Sequence, residues 1–114
     1  MKIKTADYQV SYDSETTTLC CKGSLRLSGM DEYAPIVELF CEVVALEPSV
    51  IQFDLKDLDF LNSSGINVLS RFIIQVRQKK NVKMVLQGSK QIPWQSKSLK
   101  NLQRLMPNLQ LEWE

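Results

Sequence analysis

Hydrophobic and polar positions alternate near the N-terminus. Tyr8, Val10 and Tyr12 are separated by polar residues, and after the polar stretch Asp13-Ser14-Glu15 the alternation resumes at Leu19, Cys21, Gly23, Leu25 and Leu27. A period of two puts such residues on one face of a strand, so this region predicts two strands joined as a hairpin. The intervening Thr18, Cys20, Lys22, Ser24 and Arg26 are mostly polar. One face of the sheet is therefore expected to be buried and the other wet, with helices covering mainly one side.

From Asp31 the period lengthens. Tyr33, Val37, Phe40 and Val44 fall on one helical face, while Asp31, Glu38 and Glu42 gather opposite. Asp31 and Glu32 suit the positive end of a helix dipole, and Pro48 is expected to end the helix. The run Val50-Ile51-Gln52-Phe53-Asp54-Leu55 then reads as a buried strand, with Asp57-Leu58-Asp59-Phe60-Leu61 as its exit. After Asn62-Ser63-Ser64-Gly65, the residues Ile66, Leu69, Ile73 and Val76 form a helical stripe flanked by Phe72 and closed by Arg77, Lys79 and Lys80. Val82 to Leu86 predicts another strand, broken by Gly88. Leu99, Leu102 and Met106 mark a last helix with Lys97, Lys100 and Arg104 outside, and Leu109 to Trp113 alternates as a closing strand after Pro107.

Long helical crossovers after an initial hairpin imply an α/β fold: a mixed, mostly parallel sheet in a single domain over residues 1–114. A chain of 114 residues with 44% hydrophobic and 24% charged residues has the size and composition of one globular unit.

Charge and cysteine usage narrow the chemistry. The chain holds no His, which removes the usual general base and metal ligand, and a net charge of +1 argues against a nucleic-acid partner. Cys20, Cys21 and Cys41 show neither CxxC spacing nor a Cys/His cluster and are expected to be reduced core thiols. Adjacent Cys20 and Cys21 should face opposite sides of a strand. MKIKTADYQV lacks the pattern of a signal peptide and no stretch has the length of a membrane span, so a cytoplasmic protein without direct membrane insertion is expected. The net charge conceals an asymmetry: residues 1–62 carry 5 Lys/Arg against 11 Asp/Glu, and residues 63–114 carry 9 against 2. Such faces are either simply solvated or form a docking surface of two signs. The basic helix with Lys97, Lys100 and Arg104 admits the same two readings, the second meeting an acidic partner or a lipid surface. Trp94 and Trp113 are expected to pack rather than to cage a cofactor.

The one element with candidate chemistry is the junction Asn62-Ser63-Ser64-Gly65. In α/β sheets, ligands and partners meet the carboxyl ends of strands, where the next helix starts. Asn62 or Ser63 can cap that helix by accepting from an orphan backbone N–H, and Gly65 permits close packing. The same geometry also suits a phosphoacceptor, because free N–H groups and the dipole stabilise a new anion on a hydroxyl. A single glycine and no Lys make a poor nucleotide cradle, so no cofactor is expected.

The segment FDLKDLDFLNSSGINVLSRF, preceded by the LCCKGSLRLSG strand and an acidic helix, resembles a STAS domain of the anti-sigma factor antagonist type. The resemblance covers nearly the whole chain in element order. It implies a small regulatory protein, not an enzyme, that binds a serine kinase/anti-sigma partner, is restored by a cognate phosphatase, and is a monomer when free. It maps the phosphoacceptor onto Ser63, with Ser64 and Gly65 completing the motif; Asn62, Ile66, Gly23 and Arg26 join them as the expected switch-loop and partner-binding residues. The chain departs from the family pattern at two places. Asn62 stands where the family usually carries Asp, and the family's Gly-x-Leu-Asp becomes Gly23-Ser24-Leu25-Arg26. Both changes remove a carboxylate. They leave open an alternative: a STAS-like scaffold or accessory subunit of a signalling or transporter complex that is never phosphorylated.

Overall fold

A computed structural model describes residues 1–114 as three helices packed against a 7-stranded mixed sheet. The strands are β1 (Lys2–Lys4), β2 (Tyr8–Asp13), β3 (Thr18–Leu25), β4 (Val50–Asp54), β5 (Leu58–Leu61), β6 (Lys83–Gly88) and β7 (Gln110–Trp113). The helices are α1 (Gly29–Ala45), α2 (Ser63–Gln78) and α3 (Gln95–Gln103). The main path of the sheet is β1-β2-β3-β4-β6-β7. β1, β2 and β3 are antiparallel neighbours, whereas β3-β4, β4-β6 and β6-β7 are parallel, as the long crossovers require.

Alternation sets the core. Val10, Leu19, Cys21, Leu25, Ile51, Phe53, Met84 and Leu86 are buried and share the helix-covered face through the register Val10↔Cys21, Leu19↔Phe53 and Phe53↔Leu86. Phe40 of α1 and Phe72 of α2 meet at 4.6 Å between ring centroids and sandwich Phe53 at 5.8 and 5.2 Å, so both helices are anchored over the middle of β4. The opposite face is polar and only half-buried. There Cys20, Gln52, Asp54 and Gln87 lie together, with Gln87 Nε2 donating to Gln52 Oε1 at 3.3 Å and Lys56 bridging Asp54 and Glu114 at 3.7 and 3.8 Å.

Several sequence expectations are corrected. β1 is an additional strand; β3 stops at Leu25 rather than continuing to Leu27; and Leu58–Leu61 is a strand of its own. β3 is long enough to pair with β4 over its first half and β5 over its second, with a register shift between Gly23 and Ser24. The buried face of α1 is Tyr33, Ile36, Leu39, Phe40, Val43 and Val44, while Val37 is half-buried. A helix touching both the sheet and α2 buries a wider arc than a single stripe. Gly88 is the buried last residue of β6 rather than a break before the next element. A Cβ there would lie 2.6 Å from Leu99 Cδ1 and 2.9 Å from Trp113 Cζ3, so its smallness lets α3 and β7 close over the strand. Met106 lies beyond the end of α3. Only Cys21 is a core thiol; Cys20 is half-buried on the polar face and Cys41 is exposed on α1.

Candidate functional site

The parallel pairing of β3 with β5 brings Gly23 opposite Leu58 and Leu25 opposite Leu61. It therefore carries the Gly23–Leu27 segment alongside the start of α2. Gly23 makes this approach possible: its φ is +88°, its N–H donates to Asp57 O at 2.9 Å, and a Cβ would run into Asp7 O. Beyond it, Asn62 N–H donates to Leu25 O at 3.1 Å and closes the two segments together.

Asn62 is the hub. Its Oδ1 accepts from Gly65 N–H at 2.9 Å, the capping bond of α2, and from the Tyr33 hydroxyl at 2.8 Å. Its Nδ2 donates to Leu27 O at 2.8 Å. Of the two capping candidates, Asn62 fills the role, and its amide also joins α1, the β3–α1 loop and α2. Tyr33, fully buried, contacts Leu25 O as well, at 3.2 Å. Burial pushes its phenol above the ordinary value of 10.0, a backbone hydrogen bond from Leu27 offsetting part of the rise. Gly65 is buried between Leu61 and Tyr33: a Cβ would collide with Leu61 Cδ1 and come within 2.7 Å of the Tyr33 hydroxyl. That glycine is committed to packing and cannot wrap a phosphate.

With the cap engaged by Asn62, Ser63 is left free. It is the first residue of α2, exposed, and its hydroxyl bonds to no protein group. The N–H groups of Ser63 and Ser64 likewise have no acceptor, and no acidic residue occupies the first turn of α2. An exposed hydroxyl thus stands at the positive end of a 16-residue helix beside two unused donors. Ser64 and Ile66 are half-buried behind it, and Ile66 N–H donates to Asn62 O at 2.9 Å.

Arg26 is exposed at the end of this segment, its guanidinium 4.5 Å from the centre of the Phe60 ring. Phe60, 39% exposed, is a large apolar side chain left open beside Arg26, and Met30, 37% exposed, is another in the first turn of α1. A cleft of about 360 Å³ lies between Asp7-Tyr8 and Ser24-Arg26-Leu27. The structure therefore gathers Gly23, Arg26, Asn62, Ser63, Ser64, Gly65 and Ile66 at one end of the sheet. Sequence reasoning missed Tyr33 and Phe60. A tyrosine on the core stripe of α1 was the available signal for the first, since a buried phenol needs a polar partner. No three Cys, Asp or Glu side chains converge to hold a metal, and no helix is long and apolar enough to cross a membrane.

The fold and the loop define a class: a small single-domain α/β fold with an exposed serine at a strand-to-helix junction. The family profile of the STAS domain matches residues 14–109, and the chain belongs to that family. No curated protein sequence shows a significant match. Among solved structures, the chain is similar in fold to SiaC of Pseudomonas aeruginosa, with a TM-score of 0.76 at 11% identity, covering 100% of this chain and 98% of that one. It is equally similar, at a TM-score of 0.76 and 11% identity, to a chain in the crystal structure of the P. aeruginosa diguanylate cyclase SiaD in complex with its activator SiaC, with 100% and 99% covered.

Proposed function

We propose that this protein is a partner-binding switch of the cytoplasm whose docking surface is centred on Ser63 and is turned over by phosphorylation of that hydroxyl. The observation that carries the reading is the exposed, unbonded Ser63 at the N-terminus of α2, with its cap supplied by Asn62 instead. The acceptor is thereby free to react without unfolding its helix. Phosphorylation adds a charge of about −1.5 to −2, which the two free N–H groups and the helix dipole can receive. Set just after the open Phe60 in the chain, the same dianion would oppose the burial of this surface against a partner by its desolvation cost. Kinase, metal and catalytic base come from the partner in this scheme, and the chain itself is a regulatory module rather than an enzyme. The complex of SiaC with the enzyme it activates supports an enzyme as the kind of partner such a fold can serve.

The test is phosphosite mapping of the protein purified from its own cells, combined with capture experiments on Ser63→Ala and Ser63→Asp. Phosphate on Ser63 and loss from Ser63→Asp of a partner retained by Ser63→Ala are expected. Equal capture by the two variants, with Ser63 unmodified across growth conditions, sinks the switch and leaves a constitutive scaffold.

A further inference from the structure

The two edges of the sheet differ. β1 exposes Lys2 and Lys4, the charged side chains that discourage a further strand from pairing. β7, Gln110-Leu111-Glu112-Trp113, has no lysine and a single charge, Glu112, on the face away from the helices, and nothing pairs with it on the outer side. Its inward bonds can be followed at Glu114, whose N–H donates to Gly88 O at 2.9 Å and whose carbonyl accepts from Lys90 N–H at 2.8 Å. In a parallel ladder alternate residues bond to the same neighbour. Gln110 and Glu112 therefore face β6, and the N–H and C=O groups of Leu111 and Trp113 point outward without partners. Their side chains, on the helix-covered face, line a groove of about 600 Å³ whose other wall is Lys100, Gln103 and Arg104 of α3 and its C-terminal cap. Lys100 and Arg104 are exposed and neither has a carboxylate within salt-bridge distance, the ion pairs of the chain lying elsewhere at Lys56 and Lys79.

We infer that the β7 edge is a second docking site, which takes an extended acidic segment of a partner protein as an added strand. The free groups of Leu111 and Trp113 supply the main-chain bonds. Acidic side chains on the groove side lay their methylenes on Leu111 and Trp113 and their carboxylates against Lys100 and Arg104. The chemistry of the lining selects this occupant. An open groove running beside a strand edge with unpaired main-chain groups suits one extended chain, which alone can use those groups, rather than a duplex or a lipid surface. Glu112 on the opposite face of β7 further disfavours a polyanion such as nucleic acid, while tolerating a neutral residue at alternate positions of the peptide. The site is independent of Ser63, because β3, which holds the switch segment, is separated from β7 by β4 and β6, roughly 14 Å across the sheet.

The test uses the full chain, isotopically labelled, titrated with a short acetylated and amidated peptide alternating Glu and Thr, with a Lys–Thr peptide as control. The acidic peptide should shift the Leu111 and Trp113 amides and the Trp113 indole, slow exchange of those two amides, and lose affinity as salt is raised. Lys100→Glu combined with Arg104→Glu should weaken it about tenfold or more. Leu111→Pro removes an outward donor without removing a ladder bond, and should weaken it while the melting temperature reports whether the fold survives. Ser63→Asp should leave it unchanged. Absence of shifts at Leu111 and Trp113 up to millimolar peptide, or equal binding of the Lys–Thr peptide, overturns the proposal. So does concentration-dependent protection of the same amides without peptide, which would assign the edge to a second copy of the chain.

Discussion

Asn62→Asp restores the carboxylate that the family pattern carries before the acceptor serine, and the structure predicts that it will destabilise this protein. The oxygen that accepts from Gly65 N–H and from Tyr33 is unaffected by the change, and a carboxylate there gains from the helix dipole about 0.3–1 kcal/mol. The cost falls on the other arm. Asn62 Nδ2 lies 2.8 Å from Leu27 O, and no other donor reaches that carbonyl. In the variant an anionic oxygen faces a carbonyl oxygen, so a hydrogen bond is replaced by repulsion and Leu27 O is stranded, a loss of about 2–3 kcal/mol. The net change is about 1–3 kcal/mol, or roughly a 4–12 °C fall in melting temperature at pH 7 for a chain of this size. Thermal unfolding measures the total, and amide exchange over residues 26–29 locates it in the β3–α1 loop. If Asn62→Asp melts at or above the parent temperature, the argument that the amide rather than the cap is the essential feature of Asn62 is wrong.

Gly65→Ala should lower stability by about 1–2 kcal/mol despite alanine's better helix propensity, because the methyl enters the Leu61–Tyr33 contact; an unchanged or raised melting temperature would show that the contact yields. Gln95, fully buried, was invisible to hydrophobic patterning. It donates to Leu55 O at 2.6 Å and Leu58 O at 3.0 Å and accepts from Ser89 N–H at 2.7 Å. Since Leu55 O and Leu58 O keep the Leu58 N–H and Trp94 indole as donors, Gln95→Leu chiefly orphans Ser89 N–H and should cost about 2–3 kcal/mol in denaturant unfolding. In native protein a disulfide reagent should modify Cys41 fast, Cys20 slowly and Cys21 only on unfolding; rapid reaction of Cys21 would contradict its burial. Burial raises the Cys21 and Cys20 thiols above their ordinary 9.0, Asp54 adding to the rise at both. The unfolded chain then loses these protons first, so stability should decline as pH rises through about 9, and Cys21→Ala should blunt that decline. A flat stability profile between pH 8 and 10 would refute the assignment.

The strand-loop-helix unit around Ser63 was legible because its signals are local. Alternation marks Val50–Asp54, turn-forming polar residues mark the junction, and apolar residues at helical spacing mark α2. The same locality explains why Asn62 could be recognised as a cap. What the pattern left ambiguous were short elements whose existence depends on a neighbour. β5 has four residues, two of them exposed, and is a strand only because β3 extends far enough past β4 to receive it. The position of Gly88 in the strand, rather than beyond it, follows from Leu99 and Trp113 closing over it.

The chain by itself determined the class of fold, the order of its crossovers and the position of the strand-to-helix junction at Asn62–Gly65, because periodicity and helix-end chemistry act over a few residues. Only the tertiary structure decided that Asn62 binds three elements at once, that Tyr33 and Gln95 are polar pins in an apolar core, and that Leu111 and Trp113 leave an edge unpaired. The physical reason is that the partners of a buried polar group are set by which strands become neighbours. Those pairings join residues far apart in sequence, such as Leu27 and Asn62, whose approach no local pattern encodes.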